Sequence, residues 1–124
     1  MRILTILVLL VAVSGCTRWA MNANLNEAYH AYERGDCDSV MLSLSKVERQ
    51  SRERSYVWPE VSMLRGQCLE RQKLYVDAVQ TYQFLIAKYP SSEYAYRARA
   101  RLDTLAQLGH NLAGQPAKPF PASK

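Results

Sequence analysis

Apolar residues recur along most of the chain at the spacing i, i+3, i+4, i+7, in five stretches separated by turn residues. The first stretch carries Met21, Leu25, Ala28, Tyr29 and Tyr32, and the second Cys37, Val40, Met41, Leu44 and Val47. The third has Val61, Leu64, Cys68 and Leu69. Tyr75, Ala78, Val79, Tyr82, Leu85, Ile86 and Tyr89 make the fourth, and Tyr94, Ala95, Ala98, Leu102, Leu105 and Ala106 the fifth. Each stripe marks one helix face that must be covered by another element. No stretch alternates long enough to predict a strand. The pattern therefore predicts an all-α chain.

Turn residues fall between the stripes. Arg34-Gly35-Asp36 ends the first helix on glycine and offers Asp36 as a cap for the second. Trp58-Pro59-Glu60 opens the third with proline near the first helical position. Gln72-Lys73-Leu74 is a short hinge into the fourth. Tyr89-Pro90-Ser91-Ser92-Glu93 stops the fourth and caps the fifth with serine. Gly109 ends the fifth, and residues 109–124, with Gly114, Pro116, Pro119 and Pro121, are expected to form a mobile tail.

A further apolar segment has no polar face. Residues 3–13 are apolar except for Thr5 and follow Met1 and Arg2. At about 1.5 Å per residue such a helix spans about 16 Å, against about 30 Å for the hydrocarbon core of a bilayer. The charged start, the short apolar core and the small residues Ser14 and Gly15 describe a secretory signal. Composition adds limits. With 124 residues the chain has room for one domain after the leader, and 22% charged against 48% hydrophobic residues fits a globular chain. Sixteen basic and eleven acidic side chains give +5, or +4 once Arg2 is removed with residues 1–15. That charge is mild and scattered, so nucleic acid is not an expected partner.

Val13-Ser14-Gly15-Cys16 resembles the lipobox of bacterial lipoproteins. The resemblance implies that residues 1–15 are a cleaved signal peptide and that Cys16 carries thioether-linked diacylglycerol and an acylated amine. That lipid is the one covalent group expected, with no other cofactor and no metal, and residues 16–21 become a lipidated tether. Two or more acyl chains hold a protein on a membrane stably, where one does not. Thr17 in place of Asp after the cysteine implies sorting to the outer membrane, facing the periplasm. Trp19 either rests at the headgroup level, where indoles are favoured, or packs on the first helix.

The two halves of residues 22–108 repeat. At an offset of 38, Ala28 corresponds to Gly66, Val40 to Ala78, Leu44 to Tyr82 and Val47 to Leu85. Gly66, Tyr75, Ala78, Tyr82 and Pro90 resemble a tetratricopeptide repeat, and Gly35-Asp36-Cys37 with Val40 resembles the turn and small-residue site of an earlier, degenerate one. Tyr89 to Ala95, followed by Ala98, is similar to periplasmic tetratricopeptide lipoproteins. The first repeat lacks the aromatic and Leu-Gly pair and the closing proline. The offset exceeds the family's spacing by about four residues, placed between Gln50 and Val57. The resemblance implies about two helical hairpins plus a capping helix, a short α-solenoid, with Arg97, Arg99, Arg101 and Asp103 on the polar side of the cap.

An exported chain whose third cysteine is lipidated leaves Cys37 and Cys68, an even number that suggests a disulfide. The repeat reading agrees, since it sets the second and third helices side by side; the alternative is a pair of buried free thiols. Catalytic chemistry is not legible. His30 and His110 are the two histidines, without metal-ligand spacing, and Ser43 and Ser45 have no nearby His or Lys constellation in sequence. Glu48, Arg49, Arg52, Glu53 and Arg54 form a charge run that is either a solvated helix end or a basic patch for anionic lipid or glycan. Carried onto this sequence, the concave surface of tetratricopeptide proteins would include Tyr29, Glu33, Met63, Gln67, Arg71, Tyr94, Arg97 and Arg101, unless some of these pack internally. The expectation is a non-enzymatic scaffold that holds another cell-envelope protein, with a tether to peptidoglycan or polysaccharide as the alternative. The sequence leaves oligomeric state open.

Overall fold

A computed structural model of the chain describes residues 1–51 and 54–110. It is all-α: α1 (Arg2–Glu33), α2 (Cys37–Gln50), α3 (Trp58–Arg71), α4 (Tyr75–Lys88) and α5 (Glu93–Gln107), with a single 3₁₀ turn at Ser55–Val57 before α3. No strand occurs among the described residues. The five sequence stripes each fall on one helix. Residues divide into two compact units, Met1–Val61 and Ser62–Lys124.

In the first unit α1 and α2 pack as a hairpin. Gly35 has a φ of 77°, the left-handed conformation in which a side chain is strained. That geometry lets the Gly35 and Asp36 amides donate back to the Tyr32 and Ala31 carbonyls at 3.0 and 2.9 Å, closing α1. Asp36 then caps α2 by accepting from the Ser39 amide at 3.1 Å and the Ser39 hydroxyl at 2.6 Å. Those two bonds hold its carboxyl below the ordinary range. Met21, Ala28 and Ala31 of α1 and Cys37, Val40, Leu44 and Val47 of α2 are buried, with Val57 and Val61. At the open end, Asn24 Nδ2 donates to Gln50 Oε1 at 3.0 Å.

One boundary moves. The segment expected as a tether, residues 16–21, is helical and continuous with the rest of α1, and Met21 at its end is 1% exposed. The folded part thus begins inside the expected tether. The reason is local: Thr17 to Ala20 contain no glycine or proline, so nothing stops the helix.

In the second unit Met63 of α3, Ala78, Val79, Tyr82 and Leu85 of α4, and Ala98 and Leu105 of α5 form one apolar core. Leu69, Tyr75, Ile86, Tyr89, Tyr94 and Leu102 pack around it. Gly66 allows a close approach, because a Cβ there would lie 2.4 Å from the Tyr82 ring. Ser92 caps α5 by accepting from the Ala95 amide at 3.0 Å. Of the expected mobile tail, residues 111–124 lie outside the described residues. Gly109 and His110 instead finish α5, the His110 amide donating to the Leu105 carbonyl at 2.8 Å.

The turn between α3 and α4 uses the same closing bonds as Gly35, but with lysine in the left-handed position. Lys73 has a φ of 61° while its amide and that of Leu74 donate to the Glu70 and Leu69 carbonyls, both at 2.9 Å. An L side chain in that conformation costs about 1–2 kcal/mol. Lys73→Gly should relieve the strain and, after the added freedom of glycine in the unfolded chain, raise stability by about 1 kcal/mol. Denaturant titration of the two proteins measures it, and a loss of stability would show the turn to be unstrained.

Candidate functional site

Among the described residues, the side chains at the start of the N-terminal apolar segment are uncovered. Ile3, Leu4, Ile6, Leu7, Val8, Leu9 and Leu10 are each between 59% and 78% exposed. Moving one such side chain out of water is worth about 1.5–3 kcal/mol, so a segment this uncovered is not part of the core. By length and composition α1 is long enough and apolar enough to cross a membrane. At the end of this segment Cys16 is an exposed free thiol. One turn on, Trp19 is 76% exposed, so it does not pack on the first helix.

Cys37 and Cys68 are each buried and disulfide-bonded. The fold puts Cys37 at the first position of α2 and Cys68 three residues before the end of α3.

The expected groove separates into different kinds of residue. In the first unit Tyr29 is 37% exposed, and its hydroxyl donates to Glu60 Oε1 at 2.6 Å. Glu33 is exposed, 3.6 Å from Nδ1 of the exposed His30. In the second unit Met63 does not line a surface: it is 5% exposed and belongs to the apolar core. The correction has a simple cause, since α3 is covered on the Met63 side as well as on its Leu64–Cys68 stripe. Gln67 is half-buried and Arg71 exposed. Tyr94 is half-buried against the core, with the Arg97 guanidinium 5.5 Å from its ring centroid and paired in turn with Glu93. Tyr94 and Arg97 are thus the pair of expected surface residues that the structure brings together.

Arg101 is the second correction. It does not present a free cation on the polar side of α5. Its guanidinium donates to both carboxylate oxygens of Glu70, through Nε at 3.0 Å and through a second nitrogen. Tyr82 completes the cluster, its hydroxyl donating to Glu70 Oε1 at 2.6 Å. Glu70 therefore ties α3 to α4 and α5 at once. Burial pushes its carboxyl up, but the hydrogen bonds from Arg101 and Tyr82 outweigh it and hold the group below its ordinary value. Arg101 is raised, chiefly by its hydrogen bonds to Glu70. Glu70 was not singled out in the sequence. Its signal is its place one turn beyond Gly66, level with the Tyr82 that Gly66 admits.

Beyond these, His110 stacks on Tyr75 with ring centroids 3.7 Å apart and an angle of 14° between planes. Among the described residues no group of three or more His, Cys, Asp or Glu could hold a metal ion. Ser43 is 5% exposed and Ser45 donates to the Met41 carbonyl at 2.9 Å, so both hydroxyls belong to α2 packing. Comparison with protein-family models, with curated proteins and with solved structures finds no match.

Proposed function

We propose that the chain is a lipid-anchored bacterial envelope protein whose helical domain holds another envelope protein and performs no catalysis. In this reading residues 1–15 are the signal, Cys16 carries the lipid, and the protein sits on the outer membrane facing the periplasm. The hairpins act as two tetratricopeptide-like repeats with α5 as the cap. The observation that carries the reading is the apolar segment whose described side chains are uncovered, ending at the exposed free thiol of Cys16. Such a segment serves a membrane or a translocation step rather than a core. Exposed Arg97 beside Tyr94 supports a protein partner, because an aromatic ring and a guanidinium provide area and directed hydrogen bonds at modest entropy cost.

The experiment has two arms. Labelled palmitate should enter the wild type and not Cys16→Ser, and the mature chain should begin at Cys16. Crosslinking in cells should then recover an envelope protein, and Arg97→Glu with Tyr94→Ala should lose it. A soluble chain with its leader intact would overturn the anchor. Co-sedimentation with isolated cell wall, with no crosslinked protein, would replace the scaffold by a polymer tether.

A further inference from the structure

The charge run at the end of α2 acquires a position from the first unit. α1 continues without a break from Cys16 into the packed hairpin. α2 returns antiparallel to it, and the Asn24–Gln50 hydrogen bond of 3.0 Å fixes the last residue of α2 beside Asn24. Asn24 lies eight residues after Cys16, about 12 Å of helical rise.

Arg18 and Trp19 lie on α1 between Cys16 and Asn24, and Arg49 directly precedes Gln50 on α2. Arg18 and Arg49 are exposed and Trp19 is 76% exposed. Among the described residues, the acid next to Arg49 is the half-buried Glu48. Glu27, the next acid along α1, is engaged by Arg34 at 3.1 Å towards the other end of the hairpin.

We infer that the end of the first unit nearest Cys16, carrying the exposed Arg18, Trp19 and Arg49, seats on the anionic phospholipid headgroups of the membrane that holds the lipid. The inference rests on the lipid-anchor reading above. A rigid helix leaving the anchor keeps this end within roughly a Debye length of the headgroups, about 8–10 Å at physiological salt, once the long arginine side chains extend. Each basic group held there favours an anionic surface by roughly fivefold in partitioning. An indole one turn from the anchor is placed at the interfacial layer where tryptophan is favoured.

The test uses the full lipidated protein in phosphatidylcholine vesicles with and without phosphatidylglycerol. Acyl chains bearing bromine quench nearby tryptophan, and the difference between wild type and Trp19→Phe isolates Trp19 from Trp58. Trp19 should be quenched more strongly when phosphatidylglycerol is present. That increment should vanish at high salt and in Arg18→Gln/Arg49→Gln, which alters exposed residues alone and should keep its helical circular dichroism. Protein that floats with the vesicles while Trp19 shows no dependence on phosphatidylglycerol overturns the inference and leaves the anchor standing. Binding of this end to isolated peptidoglycan, lost in the double variant, also overturns it. Protein that does not float at all overturns the anchor and the inference together.

Discussion

Gly66→Ala is expected to lower the stability of the protein by about 2 kcal/mol, although alanine is the better helix former. In an open helix the change would be worth about 1 kcal/mol in the stabilising direction. Here the added methyl would lie 2.4, 2.8 and 2.9 Å from three atoms of the Tyr82 ring. That ring has no exposed surface, and its hydroxyl is tied to Glu70 at 2.6 Å, so it cannot swing aside. Forcing extra volume into such a site costs about 1–3 kcal/mol, and a contact this short belongs at the upper end. The internal repeat supplies the rescue. At the corresponding positions the first unit carries Ala28 and Leu44, both fully buried. Gly66→Ala/Tyr82→Leu should therefore be more stable than the sum of its single changes by about 1–2 kcal/mol, the range expected for residues in contact. Chemical denaturation of the four proteins closes the cycle, and simple additivity would refute the steric account.

The second large effect is at Glu70. Glu70→Ala removes the hydrogen bond from the Tyr82 hydroxyl and both hydrogen bonds from Arg101. A hydrogen bond to a charged carboxylate is worth about 1.5–3 kcal/mol, less so for Arg101, whose side chain is 40% exposed. A total of about 2–4 kcal/mol is expected, with Glu70→Gln losing less because its amide oxygen still accepts one bond. The same carboxylate gives a pH signature. Its folded-state value lies below the ordinary 4.5, so the folded state binds the proton less readily than the unfolded one. The stabilisation is complete above about pH 4.5 and is lost as pH falls through the depressed folded value. Acid titration should show wild type and Glu70→Gln converging as pH drops, and parallel curves would place the pair in solvent.

Much of the fold could be read from the pattern, because the helix stripes are local. The caps Asp36 and Ser92, the glycine stop at Gly35 and the five-helix order all depend on residues within one or two turns of each other. What escaped depends on distant partners. Met63 reads as a polar-face residue of α3 until a second neighbour covers that side, and its burial follows from tertiary packing alone. Arg101 sits among Arg97, Arg99 and Asp103, a row that reads as solvated. Only the three-dimensional approach of Glu70, thirty-one residues earlier, turns it inward. Arg97 and Tyr94 stayed legible as surface because their contact lies within a single turn of α5.

The end of a helix is ordinarily where local unravelling starts. In this protein the residue closing α5 lies flat against the aromatic ring that opens α4. The loose end is thereby joined to the middle of the core-forming segment. Peeling α5 from its C-terminus would require breaking that contact first, which couples the edge of the domain to the cooperative melting of its interior.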